Sequence, residues 1–135
     1  MVAEKLAAIV TTGDLDRLAN LVVTCQVAAK ADTQVTIFFR DESIPVICRA
    51  EVRQRLGLTR TADGRPDEEE ARYADLARKL GELADLDNVA LYACSSSLYL
   101  WGVTTADLIP ALAGARGLIA FLADDLDGAG RVLSY

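Results

Sequence analysis

The chain has 135 residues, near the commonest size of one domain, and 52% of them are hydrophobic, enough to bury a core without disulfides or metals. Its formal charge of −6 argues against nucleic acid as the main partner and disfavours anionic membrane surfaces, because both require clustered Lys and Arg. Histidine is absent, which removes the usual general base and the commonest metal ligand, so a Ser-His-Asp or Cys-His site within one chain is excluded and a zinc site is not expected.

No internal repeat or low-complexity stretch interrupts the chain. The opening MVAEKLAAIVTT carries an apolar run too short for a signal-peptide core, and no run approaches the roughly 20 apolar residues that span a bilayer. The expectation is one domain over residues 1–135, soluble and cytoplasmic. Cys25, Cys48 and Cys94 are odd in number and widely spaced, with no C-x-x-C pair, so neither a secreted disulfide framework nor a thioredoxin-type dithiol is indicated.

In chain order, the apolar run KLAAIVT (5–11) reads as a buried strand that ends in a turn at Thr12-Gly13-Asp14. Asp14 caps a helix from Leu15 to Ala31, with Leu15, Leu18, Val22, Cys25 and Ala29 on its apolar stripe. QVTIFF (34–39) is rich in β-branched and aromatic residues and forms a second strand. A polar patch, Arg40 to Ser43, precedes a helix that starts around Pro45 and runs to Leu56. GLTRTADGRP (57–66), containing Asp63-Gly64, is the most loop-like stretch. The acidic run Asp67–Glu70 suits the N-terminus of an amphipathic helix extending to Asp85. NVALYA (88–93) is the third strand, and Cys94 follows it at once. Ser95, Ser96 and Ser97 are good caps for a short helix that Gly102 stops. Another helix is expected over Thr104–Ala113, then an extended link near Gly114–Arg116, a helix from Gly117 to Asp127, and a closing strand RVLSY (131–135). Nearly all-apolar strands alternating with helices predict an α/β fold with a mostly parallel sheet covered on both faces.

Ligands of such sheets bind beyond the carboxyl ends of the strands, here Thr11–Asp14, Phe39–Glu42 and Ala93–Ser97. The third end delivers a cysteine. A thiol at a helix N-terminus meets the positive end of the dipole and free backbone N–H groups, which favour the nucleophilic thiolate. Cys94 is therefore the candidate catalytic residue. Its neighbours exclude several chemistries: a phosphatase or arsenate-reductase loop needs arginine where Leu100 stands, a rhodanese-type loop wants basic residues after the cysteine but none occurs between Cys94 and Arg116, and a peroxidatic T-x-x-C would need threonine at Leu91.

The segments KLAAIVTT, NVALYACSSSLYLWGV with the following TTADLI, and FLADDLDGAGRVLSY together resemble the DsrE/DsrF-like family of sulfur-relay proteins over nearly the whole chain. The resemblance implies a three-layer α/β/α fold with a five-stranded sheet, homo- or mixed oligomers, and a persulfide carried on the cysteine after the third strand. It also implies exchange of that sulfur with a small carrier protein of the TusA type. Cys94 occupies the implied position. Here its neighbours are serines, where some family members carry a second cysteine, and no Lys or Arg adjoins it.

The simplest role for Ser95, Ser96 and Ser97 is capping; functionally, their hydroxyls and amides are candidates to cradle a persulfide or an anionic sulfur compound. Thr12 and Gly13, at the neighbouring strand end, are candidate substrate contacts and only a weak echo of a flavodoxin phosphate loop. Tyr99 and Trp101 offer an apolar wall over Cys94 or an oligomer contact, and Arg40 and Arg116 are sources of positive charge without an assigned place. Cys25 and Cys48 lie on apolar helical stripes and read as core. Three functions stay open. The first is sulfur relay through Cys94, which requires no metal or organic cofactor. The second is a non-catalytic oligomeric structural or binding subunit, in keeping with an apolar content that suggests self-association. The third is a flavodoxin-like small-molecule binder.

Overall fold

The computed structural model describes residues 4–62 and 65–135. Five parallel strands form the sheet: β1 (Lys5–Val10), β2 (Gln34–Phe39), β5 (Val89–Cys94), β6 (Gly114–Arg116) and β7 (Arg131–Ser134), in the spatial order β6-β5-β2-β1-β7. Helices α1 (Leu15–Lys30) and α3 (Glu68–Ala84) connect strands on one side, α2 (Ala50–Arg55) and α4 (Ser95–Trp101) are short, and a C-terminal helix begins with α5 (Leu118–Ala120) and continues as a π-helical turn over Phe121–Leu126. The three-layer α/β/α arrangement follows from the strand sequences. The three inner strands β1, β2 and β5 are largely apolar on both faces, so each face needs a cover. No helix among the described residues is long and apolar enough to cross a membrane.

Side chains alternate across a strand, so the register fixes which residues share a face. Leu6, Ala8, Val10, Val35, Ile37, Phe39, Leu91 and Ala93 join the main core with Leu18, Leu21, Cys25, Leu76, Leu80 and Leu83 of α1 and α3. Ala7, Phe38 and Cys94 point the other way and meet Phe121 of the C-terminal helix. Asp14 caps α1 as the sequence predicts, its carboxylate accepting from the N–H groups of Asp16 and Arg17 at 3.0 and 3.1 Å, and in the acidic run expected at the start of α3 it is Asp67 that caps, accepting from the Glu70 N–H at 2.7 Å.

Several elements differ from the sequence reading. The expected helix from Pro45 to Leu56 is two pieces, a 3-10 segment over Asp41–Ile47 and α2, separated by extended backbone at Cys48 and Arg49. The reason is an isolated antiparallel bridge between Cys48 and Leu108, which takes these residues out of helical conformation. The helix expected over Thr104–Ala113 shrinks to one 3-10 turn, Thr105–Asp107, closed by a capping box between Thr104 and Asp107. Pro110 has no N–H and pushes Ile109 out of the α region, while the Ile109 N–H donates to the Ile47 carbonyl at 2.9 Å. The link at Gly114–Arg116 is the edge strand β6. The loop 57–66 contains two-residue strands β3 (Thr61–Ala62) and β4 (Arg65–Pro66), paired antiparallel, and Asp63-Gly64 lies outside the described residues.

Candidate functional site

Cys94 is the last residue of β5 and the N-cap of α4, with extended backbone (φ −67°, ψ 121°). The chain turns there because the strand ladder ends and three serines start a helix that Gly102 closes in the left-handed conformation, φ 70°. Cys94 itself, not a serine, is the cap, and the serines fill the first turn. Cys94 is 2% exposed. It lies among Ala7, Phe38 and Phe121, with Ile9, Tyr92, Leu126 and Ala129 around them. The rings of Phe38 and Phe121 stack at 4.3 Å with an interplanar angle of 8°.

The cover over Cys94 is therefore Phe38 and Phe121, which the sequence reading did not single out. Tyr99 is 84% exposed, and Trp101 packs on the main core and donates from Nε1 to the Asp41 carbonyl at 2.8 Å. The signal for Phe38 was present in period-two alternation: Phe39 aligns with Ala93 and Phe38 with Tyr92, so Phe38 shares the face of Cys94.

Register also places Arg116. It is the Cα partner of Cys94 across β5 and β6, so both side chains leave the sheet on one face. Its guanidinium lies 4.6 Å from the Tyr92 ring centroid and donates to the Asp125 carboxylate, from Nε at 2.7 Å and from a terminal nitrogen at 3.3 Å. The Asp125 carboxylate pushes the guanidinium pKa further up, so Arg116 stays charged. Arg40 takes a different place, at the end of β2, with Nε 3.4 Å from the Asp41 carboxylate.

The remaining candidates knit three strand ends together. Ser97 is buried, and its Oγ accepts from the Asp41 N–H at 3.1 Å, supporting the positive φ of 54° at Asp41. Ser95 and Ser96 are exposed. Ser43 Oγ lies 2.9 Å from the Val10 carbonyl and 2.7 Å from the Arg40 carbonyl. Thr11 and Thr12 donate from their amides to the Tyr135 carbonyl, and Thr12 Oγ1 accepts from the Asp14 N–H at 3.1 Å. Gly13 passes so close to the 3-10 segment that a Cβ there would sit 2.8 Å from the Glu42 carbonyl oxygen. Ser97, Thr12 and Gly13 thus have evident structural work, while Ser95 and Ser96 face solvent beside Cys94.

The other two thiols sit in the main core. Burial pushes Cys25 up to about 12 and Cys48 up to about 11, and Cys48 donates from Sγ to the Ile44 carbonyl at 3.3 Å. At neutral pH both are protonated and weakly nucleophilic. Among the described residues no group of three or more His, Cys, Asp or Glu side chains is placed to hold a metal ion.

The model of the DsrE/DsrF-like family matches residues 4–126, which is most of the chain. The chain belongs to the DsrE/DsrF-like family. This membership supports a sulfur-relay role at the level of the family. Among solved structures, the chain is similar to the ychN protein from E. coli, at 14% identity and a TM-score of 0.64, covering 99% of this chain and 100% of that one. It is also similar to MTH1491 from Methanobacterium thermoautotrophicum, described as a protein of unknown function, at 12% identity and a TM-score of 0.63, covering 98% of this chain and 99% of that one. At such identities the likeness is one of fold. No functionally curated protein matches the sequence.

Proposed function

We propose that this DsrE/DsrF-like protein relays sulfur as a persulfide on Cys94. The observation that carries this reading is the position of the thiol. It ends a central strand and caps the next helix, on the sheet face away from the main core where Cys25 and Cys48 lie. In the first step the Cys94 thiolate attacks the outer sulfur of a donor persulfide. A new S–S bond forms, the donor's S–S bond breaks, and the donor leaves as a thiolate. In the second step an acceptor thiolate attacks the outer sulfur on Cys94, and the Cys94 thiolate leaves. No net oxidation occurs in either step, and only protons are exchanged with solvent. Ser95 and Ser96, the exposed residues that follow Cys94 in the first turn of α4, are the groups to hold the terminal sulfur, with Ser97, Thr12 and Gly13 shaping the strand ends around it. The acceptor that suits this chemistry is a small sulfur-carrier protein of the TusA type, and the protein works as a homo-oligomer.

The test is sulfur loading. After incubation with polysulfide and removal of excess reagent, the intact protein should gain the mass of one sulfur atom and lose it to an added thiol acceptor. Cys94→Ser should do neither. Equal loading of Cys94→Ser and the parent would show the proposal to be wrong.

One observation favours a second reading, the non-catalytic oligomeric subunit: Cys94 is 2% exposed, as an inert structural cysteine would be. That reading expects Cys94 to resist alkylation until the protein unfolds globally.

A further inference from the structure

Sulfur transfer to Cys94 requires a donor to reach the thiol of a residue that is 2% exposed, so something must move. We infer that the C-terminal helix, residues 118–126, is a lid over Cys94, and that the Arg116–Asp125 ion pair is its latch. The inference rests on the relay reading for its purpose, although the motion can be measured without it.

The lid is weakly held by comparison with the rest of the fold. Helix α1 buries six side chains in the main core, whereas the C-terminal helix buries one, Phe121. Ile119 is 83% exposed, and Leu118 and Leu122 also reach solvent. Asp124 and Asp125 border an open cleft of about 200 Å³ whose other walls include Lys5, Thr36, Asn88 and Ala90, so in the far half of the helix only the half-buried Leu126 joins the apolar cluster on the sheet. Residues 121–126 are wound as a π-helix, and glycines stand at both exits: Gly117 before the helix, and Gly128 after it with φ 78°. Few buried apolar contacts and hinge-like ends are the features of segments that open locally without global unfolding.

The latch lies where opening must begin. Arg116 belongs to the sheet and is seated on the Tyr92 ring, while Asp125 belongs to the helix. Their two hydrogen bonds are a charge-assisted tie between lid and sheet, with side chains 28% and 12% exposed. Breaking it leaves every strand pairing in place and leaves only Phe121 and the half-buried Leu126 to hold the cover. The same register that aligns Arg116 with Cys94 puts the latch one strand away from the thiol it guards.

Iodoacetamide labelling of the folded, full-length protein tests this, with peptide mass mapping to follow the three cysteines separately. In the parent protein Cys94 should react slowly, yet faster than Cys25 and Cys48. Asp125→Asn and Arg116→Gln should each speed labelling of Cys94 about tenfold, the scale expected for losing one partly buried charge-assisted pair, and leave Cys25 and Cys48 unchanged. The double variant should be no faster than the faster single one, since both break the same tie. Unchanged labelling of Cys94 in both single variants would overturn the latch, and so would equal acceleration at all three cysteines, which reports general loosening. Polysulfide loading measured in parallel separates the two claims. A latch effect without loading removes the relay reading and leaves the lid, whereas loading at Cys94 with no latch effect does the reverse.

Discussion

Phe121→Ala is the substitution that most sharply separates a lid from an integral part of the core. Phe121 is fully buried and stacked on Phe38. In a core that cannot rearrange, Phe→Ala costs about 3–5 kcal/mol, of which about 0.5–1.5 kcal/mol belongs to the ring pair. Here the loss has a ceiling. Truncation weakens only the closed state, and once the open state is favoured, further weakening no longer registers in global stability. The expected loss is therefore about 2–3 kcal/mol, below the rigid-core range, with a smaller urea dependence because less surface remains to be exposed on unfolding. Urea unfolding followed by fluorescence reads this through Trp101, the one tryptophan, whose ring packs on the main core and so reports global unfolding. Cys94 should meanwhile become freely reactive in the folded variant. A loss in the full rigid-core range with Cys94 still protected would refute the reasoning, because the helix would then leave only with the whole fold.

Glu70→Ala should destabilise the protein by about 3–5 kcal/mol in the same urea assay, because it strands the Arg53 guanidinium, which is buried over the Tyr73 ring and donates to Glu70 and to the Cys48 carbonyl; a loss below about 1 kcal/mol would show the pair to be dispensable. Gly13→Ala should cost about 1–3 kcal/mol by forcing a methyl against the Glu42 carbonyl, read as a lowered thermal midpoint, and a neutral result would mean that the two loops separate easily. Stability should be full below about pH 9 and fall as pH rises toward 11, since Cys25 and Cys48 ionise near 9.0 in the unfolded chain but only near about 12 and about 11 in the folded one, so the unfolded state binds fewer protons in that window. Each thiol adds at most about 1.4 kcal/mol per pH unit, and Cys25→Ala should flatten the slope; an unaltered slope in that variant would assign the effect elsewhere.

Much of the fold is legible in the sequence because its signals are local. The strands that begin at 5, 34, 89 and 131 are largely apolar runs bounded by turn residues, and Asp14, Asp67 and Gly102 mark helix ends by chemistry that needs no tertiary context. What was illegible depends on pairing. Gly114, Ala115 and Arg116 have no strand-like composition, and only their alignment with Tyr92, Ala93 and Cys94 makes them β6. The helix expected over Thr104–Ala113 yields to Pro110 and to the bonds that residues 107–109 make with residues 47–49. The site divides the same way. The place of Cys94 between strand and helix follows from sequence alone, but its burial under Phe121 and the approach of Arg116 follow from register, which a single chain of letters does not display.

The most direct test of the central claim is to locate the sulfur. The protein is loaded with polysulfide, its free thiols are blocked, and it is digested without reductant so that peptide masses report which cysteine holds a persulfide. The relay account predicts sulfane sulfur on the Cys94 peptide, discharged on adding a thiol acceptor, with none on Cys25 or Cys48. Sulfur absent from Cys94, or spread evenly over all three cysteines, would contradict it.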